Sequence, residues 1–184
     1  MQVRVLGALT LDDGRIPLAP RDRAVLGALT VRLGAALPVE SLAAALWGDD
    51  WPASWAKIIP GCIMRLRRHI APAEIETTTH GYRLSDEHIE IDAEQFERLV
   101  TRGTQQLALG EPERAAHTFS EALALWRGEP FMELIDWEPA QIAAGRLEEM
   151  RLGVEELLLD AQLQAGEVRE VAALAPARVA EAPL

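Results

Sequence analysis

The 184-residue chain has a single cysteine, Cys62, which excludes an internal disulfide and any zinc site built on several thiolates. Long apolar runs are missing too: stretches such as Leu42 to Trp47 are far too short to cross a bilayer, and Met1-Gln2-Val3-Arg4 lacks the core of a signal peptide. The expected setting is therefore cytoplasmic, with no membrane partner. No Gly-x-x-x-x-Gly-Lys-Ser/Thr run is present to hold a nucleotide, and the four histidines show no metal-ligand spacing. Cys62 and His69 lie two helical turns apart, roughly 10 Å by helical rise, too far for a nucleophile-base pair. No catalytic residue, cofactor or metal is expected, and the chain does not read as an enzyme. What is present, 49% hydrophobic and 26% charged residues with 5% aromatics, is near the globular average and excludes disorder or a collagen-like repeat.

A net charge of −11 argues at face value against nucleic acid. Divided along the chain it says something else. Residues 1–91 carry 10 Lys and Arg against 11 Asp and Glu, whereas residues 92–184 carry 8 against 18. Between Lys57 and Arg83 the balance inverts, with Lys57, Arg65, Arg67, Arg68 and Arg83 against Glu74 and Glu76. A cationic strip on a neutral domain suits a phosphate backbone, although on charge alone a solvated helix face is the simpler reading.

Val3-Arg4-Val5-Leu6-Gly7 alternates as a strand does, and Asp12-Asp13-Gly14 predicts a hairpin turn leading to a second strand around Ile16 to Leu18. Helical spacing follows from Arg21, with Val25, Leu26, Leu29 and Leu33 on one face and Gly34 as the stop. A second helix is expected from Val39 to Trp47, burying Leu42, Ala45 and Leu46. Ser54 is placed to cap a third, Trp55 to Ile70, whose Ile59, Ile63, Leu66 and Ile70 form one buried stripe. Lys57, Met64, Arg65 and Arg68 then face away. Pro60 requires this helix either to begin near it or to kink there. Ile75 to Thr79, the turn His80-Gly81, and Tyr82-Arg83-Leu84 read as a terminal hairpin.

A strand-rich entry, three helices with the third cationic, and a closing hairpin make up a winged helix, in which the third helix enters the major groove and the hairpin lies along the backbone. Base reading would fall to Arg65, Arg68 and Lys57, and phosphate contacts to the hairpin residues Thr77 to Thr79, including Thr78, with His80 and Arg83. For Arg67, beside the buried stripe, a phosphate contact and a structural ion pair are both open. Tyr82 is expected to pack the wing. Trp47 and Trp126, at helix ends, are expected in the core.

From Asp92 the pattern turns all-helical, with Phe96, Leu99, Val100 and Leu107 along one helix and Ala116, Phe119, Leu123 and Trp126 along the next, Glu113 to Trp126. Leu107-x-x-Gly110-Glu111 recurs as Leu163-x-x-Gly166-Glu167, an offset of 56 residues. Each copy reads as helix, glycine-marked turn, helix, the unit of a tetratricopeptide-like array. Two units fall short of a stable array, so the expectation is a truncated piece of a longer protein, or one that self-associates as a homodimer.

Val5-Leu6-Gly7, Arg23-Ala24-Val25-Leu26, Ala45-Leu46-Trp47-Gly48, Arg65-Leu66-Arg67-Arg68 and Gly81-Tyr82-Arg83-Leu84 together resemble the antibiotic-regulatory-protein (SARP-like) type of bacterial transcriptional activator. Asp92 with Phe96, then Ala122-Leu123-Ala124-Leu125-Trp126-Arg127-Gly128 and Glu148, are similar to its bacterial transcriptional activator domain. The resemblance implies a response-regulator-style (OmpR/PhoB-like) winged helix at 1–91, fused to a tetratricopeptide-like domain at 92–184. It further implies binding of double-stranded promoter DNA and contact with RNA polymerase at the nucleoid. On this likeness Arg65, Arg67, Arg68, Tyr82 and Arg83 are the DNA contacts. Pro60-Gly61 departs from the family, whose recognition helix usually lacks proline there, and keeps open a second reading: an interaction module whose winged helix no longer binds DNA.

Overall fold

The computed structural model describes residues 1–85 and 87–166. Strand β1 (Gln2–Arg4) pairs antiparallel with β2 (Thr10–Leu11), Val3 opposite Leu11. Three helices follow, α1 (Pro20–Val31), α2 (Val39–Trp47) and α3 (Trp55–His69), then the hairpin β3 (Ile75–Thr78) and β4 (Gly81–Leu84). Strand β5 (Glu90–Ile91) returns to lie parallel to β1, giving the sheet order β2-β1-β5. The remainder is helical: α4 (Asp92–Ala108), α5 (Pro112–Leu123), a 3₁₀ turn at Met132–Leu134 and α6 (Glu138–Gln164). Among the described residues no helix is long and apolar enough to cross a membrane.

Contacts gather the chain into two compact units, Met1–Glu94 with Trp126–Leu147, and Gln95–Leu125 with the described residues from Glu148 onward. The sequence boundary at 91/92 follows chain order, whereas the first unit also takes in a later segment. Backbone bonds are the reason. Arg127 N–H donates to the Leu6 carbonyl at 2.8 Å and Phe131 N–H to that of Val5 at 2.9 Å. Asp92, buried at the start of α4, accepts from the N–H groups of Val5 (2.7 Å) and Leu6 (3.2 Å) and from Arg127 Nη2 (3.4 Å). Burial raises the Asp92 pKa, against the opposing pull of these donors.

α1 is the spine of the first unit and packs against both α2 and α3. Its start is set by Pro20 in the first turn, where no N–H is needed. Leu26 and Leu29 on α1 and the α3 stripe of Ile59, Ile63, Leu66 and Ile70 are all buried where the helices pack. Each such side chain contributes about 1.5–3 kcal/mol by leaving water. The hairpin joins this core through its backbone: Leu37 and Tyr82 exchange N–H···O bonds of 2.8 and 3.0 Å. Gly81 makes the approach possible, since at its φ of 125° a Cβ would stand 2.1 Å from the Leu37 oxygen.

In the second unit α4 and α5 cross where Gly103 lies under the Phe119 ring, so closely that a Cβ would sit 2.5 Å from it. Phe96, Phe119, Ala115 and Ala122 are buried, as are Val154 and Ala161 of α6. Both copies of the Leu-x-x-Gly repeat end a helix in the same way. Gly110 (φ 72°) donates to Leu107 O at 2.9 Å, and Gly166 (φ 83°) to Leu163 O at 3.1 Å. The expected partner helix of the second copy lies outside the described residues.

Several expectations need correction. The second strand precedes the Asp12-Asp13-Gly14 turn, and Ile16 forms only an isolated bridge to Leu11, because a 3₁₀ turn occupies Asp12–Gly14. Ser54 sits at the cap position of α3 but its side chain makes no capping bond. Pro60 lies inside α3 rather than at its start. Pro60 and Ala56 are both exposed, so water can serve the Ala56 carbonyl that a proline cannot, which softens the penalty. Ala45 and Leu46 are half-buried, with Ala43 buried beside Leu42 instead. α5 stops at Leu123, before Trp126, and Trp126 and Trp47 are half-buried rather than core.

Candidate nucleic-acid interface

The buried stripe of α3 turns a second stripe outward. Lys57, Gly61, Met64 and Arg68 follow the same four, three, four spacing, two residues out of phase with Ile59, Ile63, Leu66 and Ile70. Lys57, Met64 and Arg68 are exposed. Lys57 and Arg68 are the Lys and Arg side chains of α3 without an ion pair or hydrogen bond among the described residues. A helical rise of 1.5 Å per residue sets them about 16 Å apart.

Arg65, expected to face outward as a base reader, reaches back to α1. Its Nε and Nη2 donate to Asp22 Oδ2 at 2.9 Å and Oδ1 at 2.7 Å, and Nη2 lies 3.3 Å from Cys62 Sγ. The Asp22 side chain is 5% exposed, that of Arg65 46%. Burial by itself would raise the Asp22 pKa, but the bonds from Arg65 and Cys62 and the Arg65 charge outweigh it and hold the carboxyl below the usual range. The pairing in turn raises the Arg65 pKa. Burial, then Asp22, pushes the Cys62 thiol up to about 11, which leaves it inert.

Arg67 donates from Nε to the Ile75 carbonyl at 2.7 Å and from Nη2 to Thr77 Oγ1 at 2.8 Å, fastening α3 to the hairpin. Thr78 closes the hairpin turn, donating to Gly81 O and accepting from His80 N–H, both at 3.2 Å. His80 is exposed at the tip. Tyr82 is half-buried, and Arg83 pairs across the hairpin with Glu76. The cations of the predicted strip therefore divide, with Arg65, Arg67 and Arg83 tied to protein groups and Lys57 and Arg68 open. Asp22 is a residue of this arrangement that the charge pattern between Lys57 and Arg83 does not reach. Its signal was an acid on the buried stripe of α1, four residues before Leu26, where only a partnered charge can persist. No group of three or more His, Cys, Asp or Glu able to hold a metal occurs among the described residues.

The family model for the bacterial transcriptional activator domain matches residues 91–184. The regulatory protein DnrI of Streptomyces peucetius is 32% identical over 180 residues, covering 90% of this chain and 66% of DnrI. The transcriptional regulatory protein EmbR of Mycobacterium tuberculosis is 30% identical over 183 residues, covering 95% of this chain and 47% of EmbR. A solved structure of M. tuberculosis EmbR in complex with a low-affinity phosphopeptide superposes with a TM-score of 0.84 at 27% identity, over 98% of this chain and 50% of that one. The chain thus spans about two thirds of one relative and half of the other. These likenesses define a bacterial transcriptional regulator. The chain belongs to the antibiotic-regulatory-protein family of transcriptional activators, with the bacterial transcriptional activator domain as its second half.

Proposed function

We propose that the chain is a sequence-specific DNA-binding regulator, an activator, and not an enzyme. In this reading residues 1–91 are a winged helix that sets α3 in the major groove and the β3–β4 hairpin on the backbone. The helical domain at 92–184 contacts protein, with RNA polymerase as the partner, in the cytoplasm at the nucleoid. The observation that carries it is the outward stripe of α3, where two open cations flank an apolar centre on residues 1–91, whose 10 Lys and Arg nearly balance 11 Asp and Glu. Arg67 and Thr78 support the hairpin from within, while Arg68, Lys57 and His80 are the side chains positioned to meet phosphates. Arg83 and Tyr82 would touch the backbone only as secondary contacts, given their partners. The acidity of residues 92–184, 18 Asp and Glu against 8 Lys and Arg, keeps that half off DNA and suits a basic protein surface.

Salt-dependent binding of duplex DNA tests this. The affinity should fall linearly in log-log against salt, and Lys57→Ala with Arg68→Ala should flatten the slope by about 2, near 0.9 per lost phosphate contact. Lys57 is the chain's single lysine, so amine acetylation with and without duplex reports on it directly. Undetectable or salt-independent binding would favour the second reading, an interaction module with a degenerate winged helix. That reading draws on Pro60-Gly61 and on the capture of Arg65 by Asp22.

A further inference from the structure

The centre of the outward α3 stripe has no hydrogen-bonding side chain. Gly61 has none at all, and Met64, 53% exposed, offers only a thioether. Above Gly61 is open space: a Cβ built there would meet one atom within 4 Å, Nη1 of Arg65, at 3.6 Å. The result is a notch floored by Gly61, with Met64 on the same stripe and the Arg65 guanidinium as a wall. That wall is anchored, because Nε and Nη2 are both committed to the buried Asp22 carboxylate. Nη1 keeps its two N–H groups free of any partner among the described residues.

Each base pair shows the major groove its own pattern, which sorts the candidates. Guanine is best read by an arginine that offers two nitrogens side by side, and Arg65 has one to spare. Cytosine presents only its exocyclic amine where Nη1 needs an acceptor, and adenine sets its acceptor N7 beside an exocyclic amine, with nothing apolar for the notch to seat. Thymine places the acceptor O4 next to an apolar 5-methyl group. An apolar, side-chain-free notch beside a single N–H donor matches that edge.

We propose that the notch over Gly61 takes the major-groove edge of a thymine, its methyl seated on Gly61 against Met64 and its O4 accepting from Arg65 Nη1. This assignment rests on the reading of α3 as the helix in the major groove and names the base it selects. Asp22 becomes a positioning residue, since it fixes the orientation in which Arg65 presents that one donor.

The test begins by selecting duplexes from a randomised pool with the 184-residue chain. Each thymine of the selected site is then replaced singly by deoxyuridine, which removes the methyl and nothing else. At one position the replacement should weaken binding about fourfold, the worth of one buried methyl group. Met64→Ala should bind the thymine duplex as weakly as the unaltered chain binds the deoxyuridine one, and should no longer distinguish the two. Met64→Leu, which keeps the apolar volume, should still distinguish them. A selected site in which no thymine methyl matters, or a Met64→Ala chain that still distinguishes the two duplexes, overturns the notch while leaving DNA binding intact. A chain that selects no duplex overturns both.

Discussion

Arg65 stands on the solvent side of α3 while two of its nitrogens hold the Asp22 carboxylate, which α1 buries 43 residues earlier in the chain. The pair joins the two helices whose packing makes the core of the first unit, and it decides how much of Arg65 remains for anything else. Removing only the arginine strands a buried carboxylate. Arg65→Ala is expected to cost about 1–3 kcal/mol in urea unfolding, toward the low end because the guanidinium is half open to water. Asp22→Asn combined with Arg65→Ala should recover part of that loss, and a double-variant cost equal to the sum of the two single-variant costs would show no coupling.

The same pair sets a pH dependence. Asp22 has a folded pKa below its ordinary value of 3.8, so its contribution is present above that value and is lost as pH falls through the lower folded value. Asp92, with a raised pKa, runs the opposite way and contributes nothing to acid lability. The stability difference between the natural chain and Asp22→Asn should therefore be present at pH 7 and shrink below about pH 4. A difference constant across that range would place the effect elsewhere than in titration of Asp22.

Gly81 is the hinge by which the hairpin meets the α1–α2 connection. Ala at this position must displace the Leu37 oxygen, 2.1 Å from its Cβ, at a φ that L residues avoid. Gly81→Ala is expected to cost about 2 kcal/mol or more. The amides of Leu37 and Tyr82 should lose their protection in hydrogen exchange ahead of those in α1. Unchanged exchange at both amides would mean the bridge survives.

Cys62 offers a probe of the α1–α3 interface. Fully buried, with a thiol pKa of about 11, it should resist iodoacetamide at pH 8 in the folded chain and react in urea. Arg65→Ala should speed its labelling under native conditions, because it loosens the contact that covers the sulfur. Rapid labelling of the natural chain would contradict the burial on which the Asp22 arrangement depends.

Local pattern carried a good deal of this structure. The limits of α2, the β3–β4 hairpin with its His80-Gly81 turn, and the inner stripe of α3 were all legible from residue order. Periodicity and turn chemistry act over a few residues, so a single segment contains their whole signal. The outward stripe was legible in part: Lys57, Met64 and Arg68 follow as the complement of the inner one, whereas Arg65, expected with them, turns back to Asp22.

What the tertiary structure decided were the partnerships between distant residues. The pairing of β1 with β5, the hold of Asp92 on Val5 and Leu6, and the recruitment of Trp126–Leu147 to the first unit leave no periodic trace in either partner. The fate of the arginines belongs here too. The sequence by itself determined that α3 is cationic, since charge is a property of composition. Only the fold decided that Arg67 is spent on the hairpin and two of the three Arg65 nitrogens on Asp22, while Lys57 and Arg68 stay open. A guanidinium turns toward whichever acceptor packing brings within about 3 Å, and that acceptor lies on another element.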